Sequence, residues 1–148
     1  MSDDKRYIDY YFCLNSPWVY LAQKRLEEIA ASHQATIRYF PVDLREMMLR
    51  LIGHDDPPAR SDLHKSYGKL EMQRWAKRYG LPLSEKPDFY PVSQKRAACM
   101  VAAADRLGWD PAPLVFALPR ACWHEDRDIN DWKTLTAIEE ECGFPSDV

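Results

Sequence analysis

The chain has 148 residues, 46% of them hydrophobic and 29% charged, which is enough for one compact core and short for two. Its net charge is −3 at pH 7, and its lysines and arginines are interspersed with acids, so no phosphate-tracking stripe exists and nucleic acid is not an expected partner. The polar opening residues are followed by no apolar run of leader or membrane-spanning length, and a cytoplasmic protein without a membrane partner is expected.

The first residues to carry structure are 7–13, an almost unbroken apolar and aromatic run with Asp9 as its polar member. That pattern predicts a strand buried on both faces of a parallel sheet. Asn15-Ser16-Pro17 supplies an N-cap candidate and a proline at the first helical position. Trp18, Leu21, Ala22, Leu26, Ile29 and Ala30 then repeat at helical spacing. Residues 36–40 read as a second strand ending at Pro41, which completes a right-handed β-α-β crossover.

Beyond Pro41 the apolar period is helical. Asp43 and Glu46 form a capping-box variant, Leu44, Met47, Met48 and Leu51 mark one face, and Gly53 stops the helix. Asp55-Asp56-Pro57-Pro58 is a loop. Leu63, Tyr67, Leu70 and Trp75 mark a further helix, weakened by Gly68 and ended by Gly80 and Pro82. Ser93 caps a helix carrying Ala97, Met100, Val101, Ala104 and Leu107, and Asp110-Pro111 opens the next. Pro119 is expected to kink or break that helix, because an interior proline removes a hydrogen bond and clashes with the preceding turn. Asp131 opens a last helix through Leu135, Ile138 and Cys142, and Gly143 ends it. The inventory is two strands and five or so helices.

The four cysteines, Cys13, Cys99, Cys122 and Cys142, form no C-x-x-C pair, and a reducing compartment keeps them free. No metal site is expected from them or from His33, His54, His64 and His124. The chemistry centres instead on Ser16, where a strand delivers the chain to a helix N-terminus. Unpaired amides and the helix dipole favour negative charge there, and thiolates in particular. A serine before proline at a helix start is also a common simple cap, so a purely structural role stays open. Ser16 lacks the G-x-S-x-G elbow and the His/Asp partners of an acyl-transfer nucleophile, which argues against a hydrolase.

The segment Tyr10-Tyr11-Phe12-Cys13-Leu14-Asn15-Ser16-Pro17-Trp18-Val19-Tyr20-Leu21-Ala22 resembles the opening of the 2-hydroxychromene-2-carboxylate isomerases and the kappa-class glutathione transferases, in the DsbA-like branch of the thioredoxin superfamily. Leu70-Glu71-Met72-Gln73-Arg74-Trp75-Ala76 with Gly80-Leu81-Pro82-Leu83 is similar to that family's inserted helical domain, and Trp123-His124-Glu125-Asp126-Arg127-Asp128-Ile129-Asn130-Asp131 to its W-x-E-D-R-D-I-x-D turn. The resemblance implies an α/β fold: a thioredoxin-like β-α-β unit over residues 1–42, then an inserted all-helical domain and following helix over 43–148. The chain as a whole is then mostly helical. Where the superfamily carries C-P-x-C, this chain has Ser16-Pro17-Trp18-Val19, so disulfide exchange has no thiols there.

The resemblance further implies glutathione as cofactor, with Ser16 hydrogen-bonding its sulfur and favouring the thiolate, and with Pro17 and Trp18 lining the substrate pocket. The implied reaction is an isomerisation in aromatic-compound degradation. Thiolate addition to the chromene opens the ring, a bond rotates, and glutathione is expelled again. A small aromatic molecule is the implied substrate and a homodimer a possible assembly. Two positions where relatives carry polar glutathione contacts are here His54 and His64, and no ligand role is carried onto them. The family's C-terminal part, with its cis-proline loop, β-hairpin and helix, is expected to be missing. The alternatives are a kappa-like glutathione transferase, a non-catalytic interaction domain in which Ser16 merely caps a helix, and electrophile scavenging by Cys99, Cys122 or Cys142.

Overall fold

The structure, a computed structural model, describes residues 5–53 and 60–145. The elements run β1 (Arg6–Phe12), α1 (Pro17–Ser32), β2 (Ala35–Pro41), α2 (Leu44–Ile52), α3 (Asp62–Tyr79), α4 (Lys95–Arg106), α5 (Ala112–Trp123) and α6 (Trp132–Glu141). A thioredoxin-like β-α-β opening is therefore followed by a large helical segment, and the described residues hold six helices, one at each of the places where the sequence pattern opens one. β1 and β2 pair in parallel with Arg6 opposite Ala35 and Phe12 opposite Pro41, so Ile8 faces Ile37 and Tyr10 faces Tyr39.

The first strand is not buried on both faces. Tyr10 and Phe12 stack at 4.8 Å and meet Tyr39 edge-on, and this face packs into the core. On the other face Tyr7 is 50% exposed and Tyr11 63% exposed. Among the described residues no element covers that side, where Tyr11 stacks on Phe40 at 5.0 Å and Arg38 Nη2 reaches Asp9 Oδ2 at 2.9 Å. A run of aromatics reads as two-sided burial only if a second layer is present, and alternate side chains point to opposite faces whatever covers them.

α5 lies at the centre. Leu114, Val115, Leu118, Pro119, Ala121 and Cys122 are all buried in it, and it packs on α1, α4 and α6. Pro119 does not break this helix, which runs uninterrupted from Ala112 to Trp123. The hydrogen bond the proline forgoes is outweighed by burial of nearly the whole helix circumference, at roughly 25 cal/mol per Å² of apolar surface. α1 buries Val19, Tyr20, Leu21, Gln23 and Ala30, whereas Ala22 and Ile29 of the expected face are exposed. The buried stripe is rotated because the large Tyr20 points inward, its hydroxyl donating to the Pro82 carbonyl at 3.0 Å.

The local stop and start signals of the later helices are mostly those the sequence predicts. Asp43 accepts from the Glu46 amide at 3.1 Å, although Glu46 binds Arg50 instead of closing the box. Gly53 and Gly80 end α2 and α3 at φ of 76° and 64°, a left-handed conformation in which glycine meets no Cβ penalty. Asp131 caps α6 by accepting from the Thr134 amide at 3.0 Å. The N-cap of α4 is Gln94 and not Ser93, and the Gln94 side chain makes no capping bond. The predicted faces of α2 and α3 do not form a core: α2 buries no residue and α3 only Ala76, leaving Leu51 71% and Leu63 82% exposed. The loop at Asp55-Asp56-Pro57-Pro58 lies outside the described residues.

Candidate functional site

β1 delivers Phe12 into the core and the chain then turns sharply into α1. The turn closes with the Ser16 amide donating to the Cys13 carbonyl at 3.1 Å. The three residues before Ser16 are each tied to a distant part of the molecule. The Leu14 amide donates to Gln94 Oε1, and Gln94 Nε2 donates onward to the Val42 carbonyl at 2.6 Å. That same carbonyl lies 3.4 Å from Cys13 Sγ. Asn15 Nδ2 donates to the Val92 carbonyl and the Asn15 carbonyl accepts from Trp123 Nε1, both at 3.0 Å. Leu14 is fully buried and Gln94 nearly so, and a hydrogen bond in such surroundings is costly to lose because its partner is then stranded away from water.

These anchors hold Ser16 at the N-cap of α1 with φ −90° and ψ 128°, its carbonyl accepting from the Tyr20 amide at 3.4 Å. The Ser16 hydroxyl makes no capping hydrogen bond, unlike the caps Asp43, Ser61 and Asp131 of α2, α3 and α6. The first turn of α1 contains no acidic residue. Pro17 has no N–H, so the donors at this end of the helix are the first-turn amides that follow it and the serine hydroxyl. Ser16 and Pro17 are half-buried and Trp18 is 43% exposed, so the turn is open on one side. The partial positive charge of the helix end is thus uncompensated by any neighbouring carboxylate on its own helix, the electrostatics that favour a bound anion or thiolate.

The other residues of interest are dispersed. His64 sits exposed in the first turn of α3, where its amide donates to Ser61 Oγ at 3.2 Å, and His54 lies outside the described residues. His33 and His124 are exposed C-caps of α1 and α5. All four cysteines are free. Burial pushes the Cys122 thiol up to about 12, with the carboxylates of Asp126 and Asp128 adding to the effect, so this cysteine is not the accessible thiol the sequence reading allowed. Burial also raises Cys13, offset in part by hydrogen bonds from the Leu44 backbone and Gln94. Cys99 alone is exposed.

The acidic turn after α5 braces the site from behind. Arg127 Nη1 bridges Glu125 at 3.2 Å and Glu141 at 3.0 Å, Asp126 accepts from the Asp88 amide at 2.7 Å, and Ile129 is fully buried. This fixes the end of α5 from which Trp123 reaches Asn15, with the Tyr90 ring 4.7 Å from the indole. Gln94 and Trp123 are the positioning residues that reading the sequence missed. Gln94 stands 80 residues from its partner and carries no local signal, whereas Trp123 opens the third motif and only its role was unmarked.

The β-α-β opening, the helical segment after β2 and the serine at the first helix start define a thioredoxin-type domain of the kind that carries a helical insertion. The chain belongs to the DSBA-like thioredoxin domain family, which matches residues 7–148. It is similar to 2-hydroxychromene-2-carboxylate isomerases: 40% identical over 77 residues to that of Pseudomonas putida, covering 51% of this chain and 37% of that protein. To that of Sphingobium xenophagum it is 30% identical over 142 residues, covering 95% and 70%. A solved 2-hydroxychromene-2-carboxylate isomerase superposes with a TM-score of 0.75 at 31% identity, over 95% of this chain and 67% of the other. A probable DsbA oxidoreductase from Streptomyces coelicolor shares the fold, with a TM-score of 0.65 at 16% identity, over 95% of this chain and 64% of the other. The chain therefore spans between 37% and 70% of the length of these two curated relatives.

Proposed function

We propose that this chain carries the thiolate-holding part of a glutathione-dependent isomerase of the 2-hydroxychromene-2-carboxylate type. The observation that carries the reading is the Ser16 hydroxyl, left free of capping at a helix start that has no acid in its first turn. A group at that place fits a sulfur anion on two counts, a hydroxyl donor and the helix dipole. Glutathione, when bound, supplies a thiolate able to add reversibly to an electron-poor carbon and leave again once the bond has rotated. Ser16 donates a hydrogen bond to the sulfur and keeps it charged, Trp18 and Pro17 wall the aromatic substrate, and the Gln94 and Trp123 anchors hold the turn so that no reorganisation is needed. The division at residue 42 into a β-α-β unit and a helical insertion, a cytoplasmic location and a homodimer belong to the same reading.

The test is glutathione-dependent turnover of 2-hydroxychromene-2-carboxylate. Ser16→Ala should lower kcat/KM by about a hundredfold, the scale of losing one donor to developing charge, while the fold survives. Turnover unchanged in Ser16→Ala removes the residue from the mechanism. A second reading, a non-catalytic interaction domain, is favoured by one observation: the groove between α1 and α3 and the one beside Trp109 and Phe144 are both lined by residues other than Ser16, Pro17 and Trp18. Glutathione failing to raise the melting temperature would select it, since any ligand bound only to the folded state must stabilise that state.

A further inference from the structure

α1 and α3 enclose a groove of about 470 Å³ whose floor is the buried Leu21 and whose walls are Lys24, Arg25 and Glu28 of α1 and Trp75, Arg78 and Tyr79 of α3. Lys24 and Arg25 stand some eight or nine residues beyond Ser16, about 12 Å along the helix axis, so this is a different place from the turn described above. Its size falls within the range of roughly 300–1,000 Å³ typical of small-molecule sites.

The chemistry of the walls selects a ligand. Trp75 and Tyr79 stack at 5.5 Å with their planes 27° apart, and each residue is 38% exposed and lines the groove, so one aromatic surface is presented there. The Arg78 guanidinium lies 5.8 Å from the Trp75 ring centre, and Lys24 Nζ lies 4.6 Å from that of Phe116. The groove holds three cations and one carboxylate, and that carboxylate, Glu28, is already paired with Arg25 at 3.0 Å. Among the described residues neither Lys24 nor Arg78 has a carboxylate within ion-pair distance. A surplus of positive charge in this one groove, on a chain whose net charge is −3, favours an anion, and the stacked rings favour a flat apolar body attached to it. A phosphate alone would leave the rings uncovered, and a neutral aromatic would leave the two cations unpaired.

We propose that the α1–α3 groove binds a planar aromatic carboxylate, its ring lying along Trp75 and Tyr79 and its carboxylate between Lys24 and Arg78. The site is independent of the reading of Ser16. Calorimetric titration of the whole chain with cinnamate tests it, with cinnamamide as the neutral counterpart of the same shape. Cinnamate should bind saturably at one site and the amide about tenfold more weakly or not at all, the difference expected from losing a charge-assisted pair. Both cations are exposed, so Arg78→Gln and Lys24→Gln should fold as the parent does by circular dichroism, and each should weaken cinnamate binding about tenfold, with Arg78→Lys restoring most of it. Ser16→Ala should leave the affinity unchanged. The proposal is overturned by absent binding, by equal affinity for acid and amide, by indifference to both glutamine variants, or by loss of binding in Ser16→Ala, which would move the ligand to the other site.

Discussion

The turn at residues 13–16 and the α2–α3 arm lie on either side of α1 and β2 in the chain and are built in opposite ways. In the turn Cys13, Leu14 and Asn15 are each held from outside their own segment, by Val42, Gln94, Val92 and Trp123, and Ser16 is tied back to Cys13. In the arm the helices are held mostly by their own ends, with Asp43 and Ser61 as N-caps and Gly53 and Gly80 as stops, while their apolar side chains face outward. A helix can therefore be well formed by local signals and contribute little to the core, and a short irregular turn can be among the most tightly determined places in a molecule. Long-range hydrogen bonds to buried backbone groups do this, since each buried donor or acceptor must find a partner somewhere.

The comparison is broken most severely at Gln94. Gln94→Ala should cost about 3 kcal/mol in denaturant unfolding, because it strands the fully buried Leu14 amide and removes a donor to the Val42 carbonyl, which keeps only the Cys13 thiol. A loss within the error of the parent would mean that the turn is not held as described. Trp123→Phe should cost less, about 2 kcal/mol, because it removes the bond to the Asn15 carbonyl and leaves a void where the second ring of a buried indole stood. Its sharper readout is catalytic: if the turn positions Ser16, glutathione-dependent kcat should fall more than the stability does, and parallel falls would assign Trp123 to packing alone. In the arm, Leu51→Ser should change stability by no more than about 0.5 kcal/mol, as expected of an exposed side chain with no special feature. A larger loss by the same unfolding measurement would reveal a partner surface over α2.

What was legible in the sequence follows the same division. Signals that act within four or five residues were readable: Pro17 at a helix start, Asp43 and Asp131 as caps, Gly53 and Gly80 as stops, and Ser16 at the place where charge is favoured. Features set by distant partners were not. Helical spacing identifies an apolar face but not whether anything covers it, which is why Leu63, Tyr67 and Leu70 were expected to pack and are exposed. Pro119 was read for its local penalty, whereas the burial that outweighs it comes from α1, α4 and α6. The site was legible as a serine at a helix start, but the absence of a capping bond from its hydroxyl required coordinates.

The most direct measurement is the ionisation of the glutathione thiol in the presence of the chain, followed by ultraviolet titration of the thiolate. The helix end and the Ser16 hydroxyl should bring the pKa of the bound thiol below the free-thiol value of about 8.5, and Ser16→Ala should return it towards that value. A thiol that titrates identically with and without the protein, or with Ser16 and with alanine in its place, would contradict the account.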